Sequence, residues 1–93
     1  MATIYEEKVL ELVEEEVVNT DLYDLVVFND DVNTFEHVIR ALIDVCRHEP
    51  EQAEQCTLII HYKGKCTVKM GSFDELAPMR NAICKRGISA EVL

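Results

Sequence analysis

The chain has 93 residues, 48% of them apolar, which is enough to bury one compact core and not two. Its net charge of −9 would repel the phosphate backbone of nucleic acids and anionic membranes, so we expect neither as a partner. No apolar run approaches the roughly 20 residues that cross a bilayer, and the acidic start is unlike a basic signal peptide. These features predict a soluble protein of the cytoplasm.

Acidic side chains are concentrated at the N-terminus. Residues 1–20 contain six Glu and one Lys, and residues 14–16 are three consecutive Glu that repel one another. Four apolar residues nevertheless recur there at helical spacing: Val9, Leu10, Val13 and Val17. A marginal helix and a mobile arm are both compatible with this pattern. We therefore divide the chain into an acidic N-terminal extension, residues 1–20, and a core domain, residues 21–93.

The core domain opens with a predicted strand followed by a predicted helix. Tyr23–Phe28 is rich in β-branched and aromatic residues, and the Asn and Asp side chains of residues 29–31 favour a turn after it. Asn33 can cap the next helix, with Glu36 three residues on. The helix then shows one apolar face, made of Phe35, Val38, Ile39, Leu42, Ile43 and Cys46.

A second helix and a second strand follow. Pro50 suits the first turn of a helix that runs on through Ala53, Cys56 and Ile60. Residues 62–65 have the composition of a turn. Residues 66–70 alternate as a half-buried strand does, and Gly71 ends that strand.

The last two predicted elements are a helix and a short strand. Ser72 begins a sequence that resembles a capping box, but Pro78 would then lie deep inside the helix, so we predict that the helix begins at Pro78. Gly87 supplies a left-handed end, and residues 88–92 alternate as a strand. The order β-α-α-β-α-β predicts an α+β fold, with a small three-stranded antiparallel sheet and three helices on one face.

The four cysteines are Cys46, Cys56, Cys66 and Cys84. They are far apart in the sequence and form no C-x-x-C pair, which argues against a zinc knuckle and against a redox dithiol. Reduced thiols packed as small apolar side chains are the favoured interpretation, although their even number leaves a disulfide framework open. We expect no metal and no cofactor.

Two stretches of sequence are more specific than the element order. Residues 28–39 read FNDDVNTFEHVI, and residues 60–65 read IHYKGK. Together they resemble the signatures of the ClpS family, which are N-D-D, a short turn and M-E-[FY]-V, followed later by V-H-x-x-G-K. The resemblance covers about residues 22–92, and the family fold is similar to the C-terminal domain of the ribosomal stalk protein.

The resemblance implies an adaptor and not an enzyme. Members of the family bind N-degron substrate proteins, which begin with a bulky hydrophobic residue. They deliver these substrates to a Clp AAA+ unfoldase, whose N-terminal domain would be the second partner. Residues near the family's docking helix are Asp74, Glu75 and Arg80.

A free amino terminus is mostly an ammonium group near neutral pH, and its three donors need acceptors and negative charge. The amide oxygen of Asn29, the carboxylate of Asp31 and a ring nitrogen of neutral His61 can supply these acceptors. The resemblance assigns the ammonium clamp to these three residues. Asp30 is a secondary member, which either strengthens the negative field or shapes the turn.

Selection of a bulky first side chain also needs an apolar pocket next to the clamp. By resemblance its lining residues are Asn33, Phe35, Val38, Thr57, Ile60 and Ile88. Phe35 and Thr57 stand where many relatives carry Met, and Asn33 stands where Thr is common. These departures bear on which of Leu, Phe, Tyr and Trp would fit best.

The same residues also have other interpretations. Without the family pattern, residues 29–31 would be an Asx-rich turn, and His61 would be a hydrogen-bonded histidine at a helix end. We expect His37 and His48 to be surface residues. Two different functions also remain as alternatives. One is a thiol or metal enzyme that uses His61 with Cys56 or Cys66, and the other is an assembly module with the ribosomal-stalk fold.

Overall fold

The computed structural model describes residues 22–93, so the acidic extension predicted for residues 1–20 lies outside the described residues. Six elements follow in the predicted order. They are β1 (Tyr23–Phe28), α1 (Phe35–Cys46), α2 (Pro50–Lys63), β2 (Lys65–Gly71), α3 (Phe73–Lys85) and β3 (Ala90–Val92). The predicted α+β class and the β-α-α-β-α-β order are confirmed.

The three strands form one antiparallel sheet in the order β2-β1-β3. β1 is central because Val27 pairs with Cys66 of β2 on one side and with Ala90 of β3 on the other. A register shift between Leu25 and Val26 adds one residue to β2 opposite β1. Leu25 and Val27 point to the same face of the sheet and pack with buried residues of all three helices.

The first two helices begin and end at recognisable signals. Thr34 caps α1, since its hydroxyl accepts a hydrogen bond from the His37 amide at 3.1 Å. The prediction that Asn33 is the cap was therefore wrong. α2 begins at Pro50 as predicted and ends only at Gly64, whose φ of 93° favours glycine. The predicted turn at residues 62–65 is thus shorter than expected, and His61 lies in the last helical turn.

α3 begins earlier than the sequence indicated. Ser72 is its cap, and the Ser72 hydroxyl accepts a hydrogen bond from the Glu75 amide at 3.2 Å. The prediction of a start at Pro78 was wrong, because an internal proline removes only one backbone donor, whereas Leu76 and Ile83 on the same helix are completely buried. Gly87, with φ of 85°, follows the helix as predicted.

His37 is exposed as predicted, but His48 is not a surface residue. His48 is 6% exposed, and its Nε2–H donates a hydrogen bond to the Val68 carbonyl at 2.7 Å. The reason lies in Arg47, whose left-handed φ of 61° ends α1 and turns the chain back toward the sheet. At the C-terminus the strand is shorter than predicted, so Ile88 precedes β3 and lies in the core. Within residues 22–93, no helix is long and apolar enough to cross a membrane.

Candidate functional site

A pocket of about 270 Å³ opens between the loop after β1 and the last turns of α2. Nine of the ten site residues predicted from the sequence line it, and Ile88 does not. Phe28 and Thr34 also line the pocket and were not predicted, although both lie inside the signature stretch that pointed to the site. The lining residues are Phe28, Asn29, Asp30, Asp31, Asn33, Thr34, Phe35, Val38, Thr57, Ile60 and His61.

Asp30 organises the loop that forms one wall of this pocket. One carboxylate oxygen accepts hydrogen bonds from the backbone amides of Val32 and Asn33, at 2.9 and 2.8 Å. The other accepts from Nδ2 of Asn33 at 2.7 Å. These bonds, first of all the one from the Asn33 amide, lower the pKa of Asp30. Of the two roles left open for Asp30, shaping the turn is the one with visible contacts.

Two side chains, one in this loop and one in the first turn of α1, bind the turn that follows α3. Nδ2 of Asn33 donates a second hydrogen bond, to the Gly87 carbonyl at 2.8 Å. Nε2 of His37 donates to the carbonyl of the neighbouring Arg86, also at 2.8 Å. The side-chain nitrogen of Asn33 therefore already makes two hydrogen bonds, and these bonds hold this wall of the pocket in position.

His61 forms the opposite rim of the pocket, on the last turn of α2. Its ring meets the Phe35 ring edge to face, with centroids 5.0 Å apart, and meets the Tyr62 ring in the same manner at 5.0 Å. The backbone amide of Asn29 donates to the Gly64 carbonyl at 2.8 Å, which fixes the loop beside the end of α2. Because Asn29 and His61 are both exposed, their polar atoms can reach a ligand.

The floor of the pocket is apolar. Val38, Thr57 and Ile60 are buried there, whereas Phe35 is 40% exposed at the entrance. The Thr57 hydroxyl donates to the Ala53 carbonyl within the same helix at 2.7 Å, so its proton is already used. An oxygen-rich rim with two carboxylates thus adjoins a buried apolar floor, an arrangement that suits a cation attached to an apolar group.

The alternative of a thiol or metal enzyme finds no support in this geometry. Neither Cys56 nor Cys66 lines the pocket, and His61 contacts aromatic rings. Within the described part of the chain, no group of three or more His, Cys, Asp or Glu side chains is arranged to hold a metal ion.

Comparisons with known proteins agree with the fold and with the family resemblance. Residues 18–90 match the family model for the ATP-dependent Clp protease adaptor protein ClpS. The chain is 38% identical over 53 residues to the ATP-dependent Clp protease adapter protein ClpS of Nitratidesulfovibrio vulgaris. The matched segment covers 57% of this chain and 53% of that relative. The chain therefore spans about half the length of this curated relative.

Among solved structures, the fold is similar to Agrobacterium tumefaciens ClpS2 bound to L-phenylalaninamide. The TM-score is 0.72 at 20% sequence identity, and the match covers 77% of this chain and 94% of that one. At this level of identity the likeness shows a shared fold.

Proposed function

Because the chain belongs to the ClpS family of Clp protease adaptors, we propose that it binds the free α-amino group and the bulky first side chain of N-degron proteins. It then delivers these substrates to a Clp AAA+ unfoldase and catalyses no reaction itself. The observation that carries the proposal is the junction of an oxygen-rich rim and an apolar floor in one pocket. The alternative of a stalk-like assembly module gives no reason for that junction.

The rim supplies what an ammonium group needs. Asn29 and His61 offer uncharged acceptors, and Asp31 offers an exposed carboxylate. Asp30 is engaged in the turn but still adds a second negative charge to the same wall. An amino terminus has a reference pKa of about 8, so it is mostly charged near neutral pH and attracted by both carboxylates.

The floor supplies the binding energy for the side chain. Burying a Leu or Phe side chain contributes about 1.5–3 kcal/mol, and Val38 and Ile60 provide the apolar surface for it. Phe35 narrows the entrance next to His61, so we expect it to crowd side chains that branch at the β-carbon. The ligand named for the Agrobacterium relative is L-phenylalaninamide, which combines a free amino group with an aromatic side chain.

A second surface has to contact the unfoldase. We assign it to α3. Asp74 and Glu75 are exposed in the first turn of this helix, and Arg80 is exposed further along it. Arg80 is partly held in place, since its Nε donates to the Ala90 carbonyl at 3.2 Å. None of these three residues lines the ligand pocket, so substrate and unfoldase can be bound at the same time.

The proposal is tested by titrating the protein with peptides that begin with Leu or Phe and with their N-acetylated twins. Acetylation removes the charge and two of the donors. Since charge-assisted hydrogen bonds contribute about 1.5–3 kcal/mol each, the acetylated peptides should bind more than roughly a hundredfold more weakly. A peptide that begins with Ser is the control for the pocket floor and should also bind weakly. Equal affinity for the free and acetylated peptides would overturn the proposal.

A further inference from the structure

Two hydrogen bonds fix the end of the pocket loop, residues 29–33, to the turn that follows α3. Nδ2 of Asn33, the last residue of this loop, donates to the Gly87 carbonyl at 2.8 Å. Nε2 of His37, in the first turn of α1, donates to the adjacent Arg86 carbonyl at 2.8 Å. Two consecutive carbonyls of one turn therefore hold both the end of the pocket loop and the start of α1.

The turn is a well-fixed support for these bonds. The Arg86 amide donates to the Ile83 carbonyl at 3.0 Å. The Gly87 amide donates to the Cys84 carbonyl, also at 3.0 Å. Ile88 follows directly and is buried in the core at 3% exposure. Because the turn is bonded to α3 before it and anchored in the core after it, its two carbonyls are held in place.

The hydrogen bonds within the pocket loop do not by themselves position it. The Asp30 carboxylate accepts from backbone amides two and three residues further on. Such local bonds set the shape of the turn and not its place in the fold. The first residue of the loop is bonded to the end of α2, since the Asn29 amide donates to the Gly64 carbonyl at 2.8 Å. The last residue is bonded to the turn after α3, so the carboxylates of Asp30 and Asp31 lie between two attachments.

We infer that His37 is a positioning residue for the proposed ammonium clamp, because its bond to the Arg86 carbonyl helps to hold the pocket loop opposite His61. This role rests on the proposed function. His37 does not line the pocket, so it acts through the loop and not on the ligand. A loop that is already in place when the peptide arrives loses less conformational entropy on binding, which raises the affinity. The ClpS signature has Phe or Tyr at this position, and Phe has no donor for the Arg86 carbonyl.

Two variants separate the hydrogen bond of His37 from the charge of its ring. His37→Phe keeps an aromatic ring but has no donor, whereas His37→Gln keeps an N–H donor on a side chain of similar reach. Neither variant can be protonated at this position, so their comparison leaves out any effect of an imidazolium charge on the nearby Asp30 carboxylate. The substitution that matches the signature is therefore expected to be the one that impairs the site.

The first measurement needs no ligand. Backbone NMR relaxation of the full chain should give order parameters of about 0.85 for residues 31–32 in the unaltered protein and in His37→Gln. In His37→Phe they should fall to about 0.7 or lower, because this end of the loop has lost the bond to the Arg86 carbonyl. Order parameters that are equal in all three proteins would overturn the inference, whatever the peptides do.

The second measurement is the affinity for peptides that begin with Leu and with Phe. His37→Phe should bind both about 3- to 10-fold more weakly and by the same factor, because the apolar floor is unchanged. His37→Gln should stay within about twofold of the unaltered protein. The melting temperature should stay within about 3 °C in both variants, since the side chain is exposed. A lower melting temperature with unchanged affinity, or equal affinities of the two variants, would overturn the positioning role.

Asp44→Ala is the matched control, because it alters the same turn without touching the two carbonyls. The Asp44 carboxylate lies 3.2 Å from the Arg86 guanidinium and both side chains are well exposed, so affinity should stay within about twofold. A loss as large as that of His37→Phe would assign the effect to the turn as a whole and overturn the role of His37. Failure of the proposed function gives a different result, since the unaltered protein would then bind free and N-acetylated peptides equally well. The order parameters would still decide whether His37 holds the loop.

Discussion

The two ends of α2 carry a histidine each, and the two side chains are used in opposite ways. His48 stands two residues before the helix and is buried, with its Nε2–H bound to the Val68 carbonyl. No described residue is a partner for its Nδ1, which is also buried. His61 stands in the last turn, exposed between the Phe35 and Tyr62 rings at the rim of the pocket.

The comparison shows that the surroundings, and not the residue type, decide what a histidine does. A buried imidazole with one carbonyl partner stabilises the fold, since removing it leaves both a cavity and an unpaired carbonyl. An exposed imidazole contributes little to stability and keeps its polar atom for a ligand. Mutations at the two ends of α2 should therefore separate stability from peptide affinity.

The largest expected effect is on stability, at His48. His48→Ala removes a buried ring and leaves the Val68 carbonyl without its partner, so we expect a loss of about 2–4 kcal/mol in the free energy of unfolding. Thermal or urea denaturation measures it. Affinity for a Leu-first peptide, measured well below the melting temperature, should stay within about twofold, since His48 does not contact the pocket. A melting temperature within about 2 °C of the unaltered protein would contradict the structural role.

The next effect is on affinity, at His61. His61→Ala removes one acceptor from the proposed ammonium clamp, so we expect affinity for a Leu-first peptide to fall by about 10- to 100-fold. The melting temperature should change little, because the side chain is exposed. Fluorescence titration and thermal denaturation of the same preparation measure both quantities. A His61→Ala protein that binds as tightly as the unaltered one would remove His61 from the clamp.

The order of elements could be predicted from the sequence because the apolar residues of each segment recur with the spacing of either a helix or a strand. The helix starts were harder to predict, because two nearby residues can both satisfy the local sequence preference for the start of a helix. Asn33 and Thr34 can both cap a helix, but the Asn33 side chain instead donates through Nδ2 to the Gly87 carbonyl, 54 residues away, and Thr34 is the cap. Pro78 obeys the rule for a helix start, but the burial of Leu76 decides in favour of Ser72.

The signature residues predicted most of the lining of one pocket, whereas the hydrogen bonds inside its wall could not be predicted. Asn29, Asp31 and His61 were named together only through the family resemblance, and the fold does place them on one pocket. Ile88 lies in the core instead, since the chain enters β3 two residues later than the alternation indicated. The burial of His48 had no signal in the sequence, because it depends on the left-handed conformation of Arg47.

A smaller effect is expected at the connection that follows the His61 end of α2. Gly64 has φ of 93°, and a Cβ there would meet open space, so any cost of Gly64→Ala comes from the backbone alone. We expect about 1 kcal/mol, because a side chain with a Cβ disfavours this conformation. Gly64→Asn is the matched control and should cost less, since Asn tolerates the left-handed region. Urea denaturation of both variants tests this, and an Ala variant as stable as the Asn variant would contradict the backbone argument.

The smallest effect concerns the charge of Asp30, in the loop beside the His61 end. Hydrogen bonds from Asn33 and Val32 hold the pKa of Asp30 below its usual value in the folded protein. A group whose pKa is depressed on folding contributes stability that is present above its unfolded value, about 3.9, and is lost as the pH falls through the folded value. Asp30→Asn keeps an oxygen for the two backbone amides but has no charge to titrate, so it should be slightly less stable than the unaltered protein above about pH 5. Below about pH 4 the difference in stability should shrink, because Asp30 itself becomes protonated in the unaltered protein. The other carboxylates titrate alike in both proteins, so their effects cancel in the difference. Denaturation of both proteins at several pH values measures this difference in the free energy of unfolding. A difference that stays constant down to about pH 3 would show that these hydrogen bonds do not favour the ionised form of Asp30.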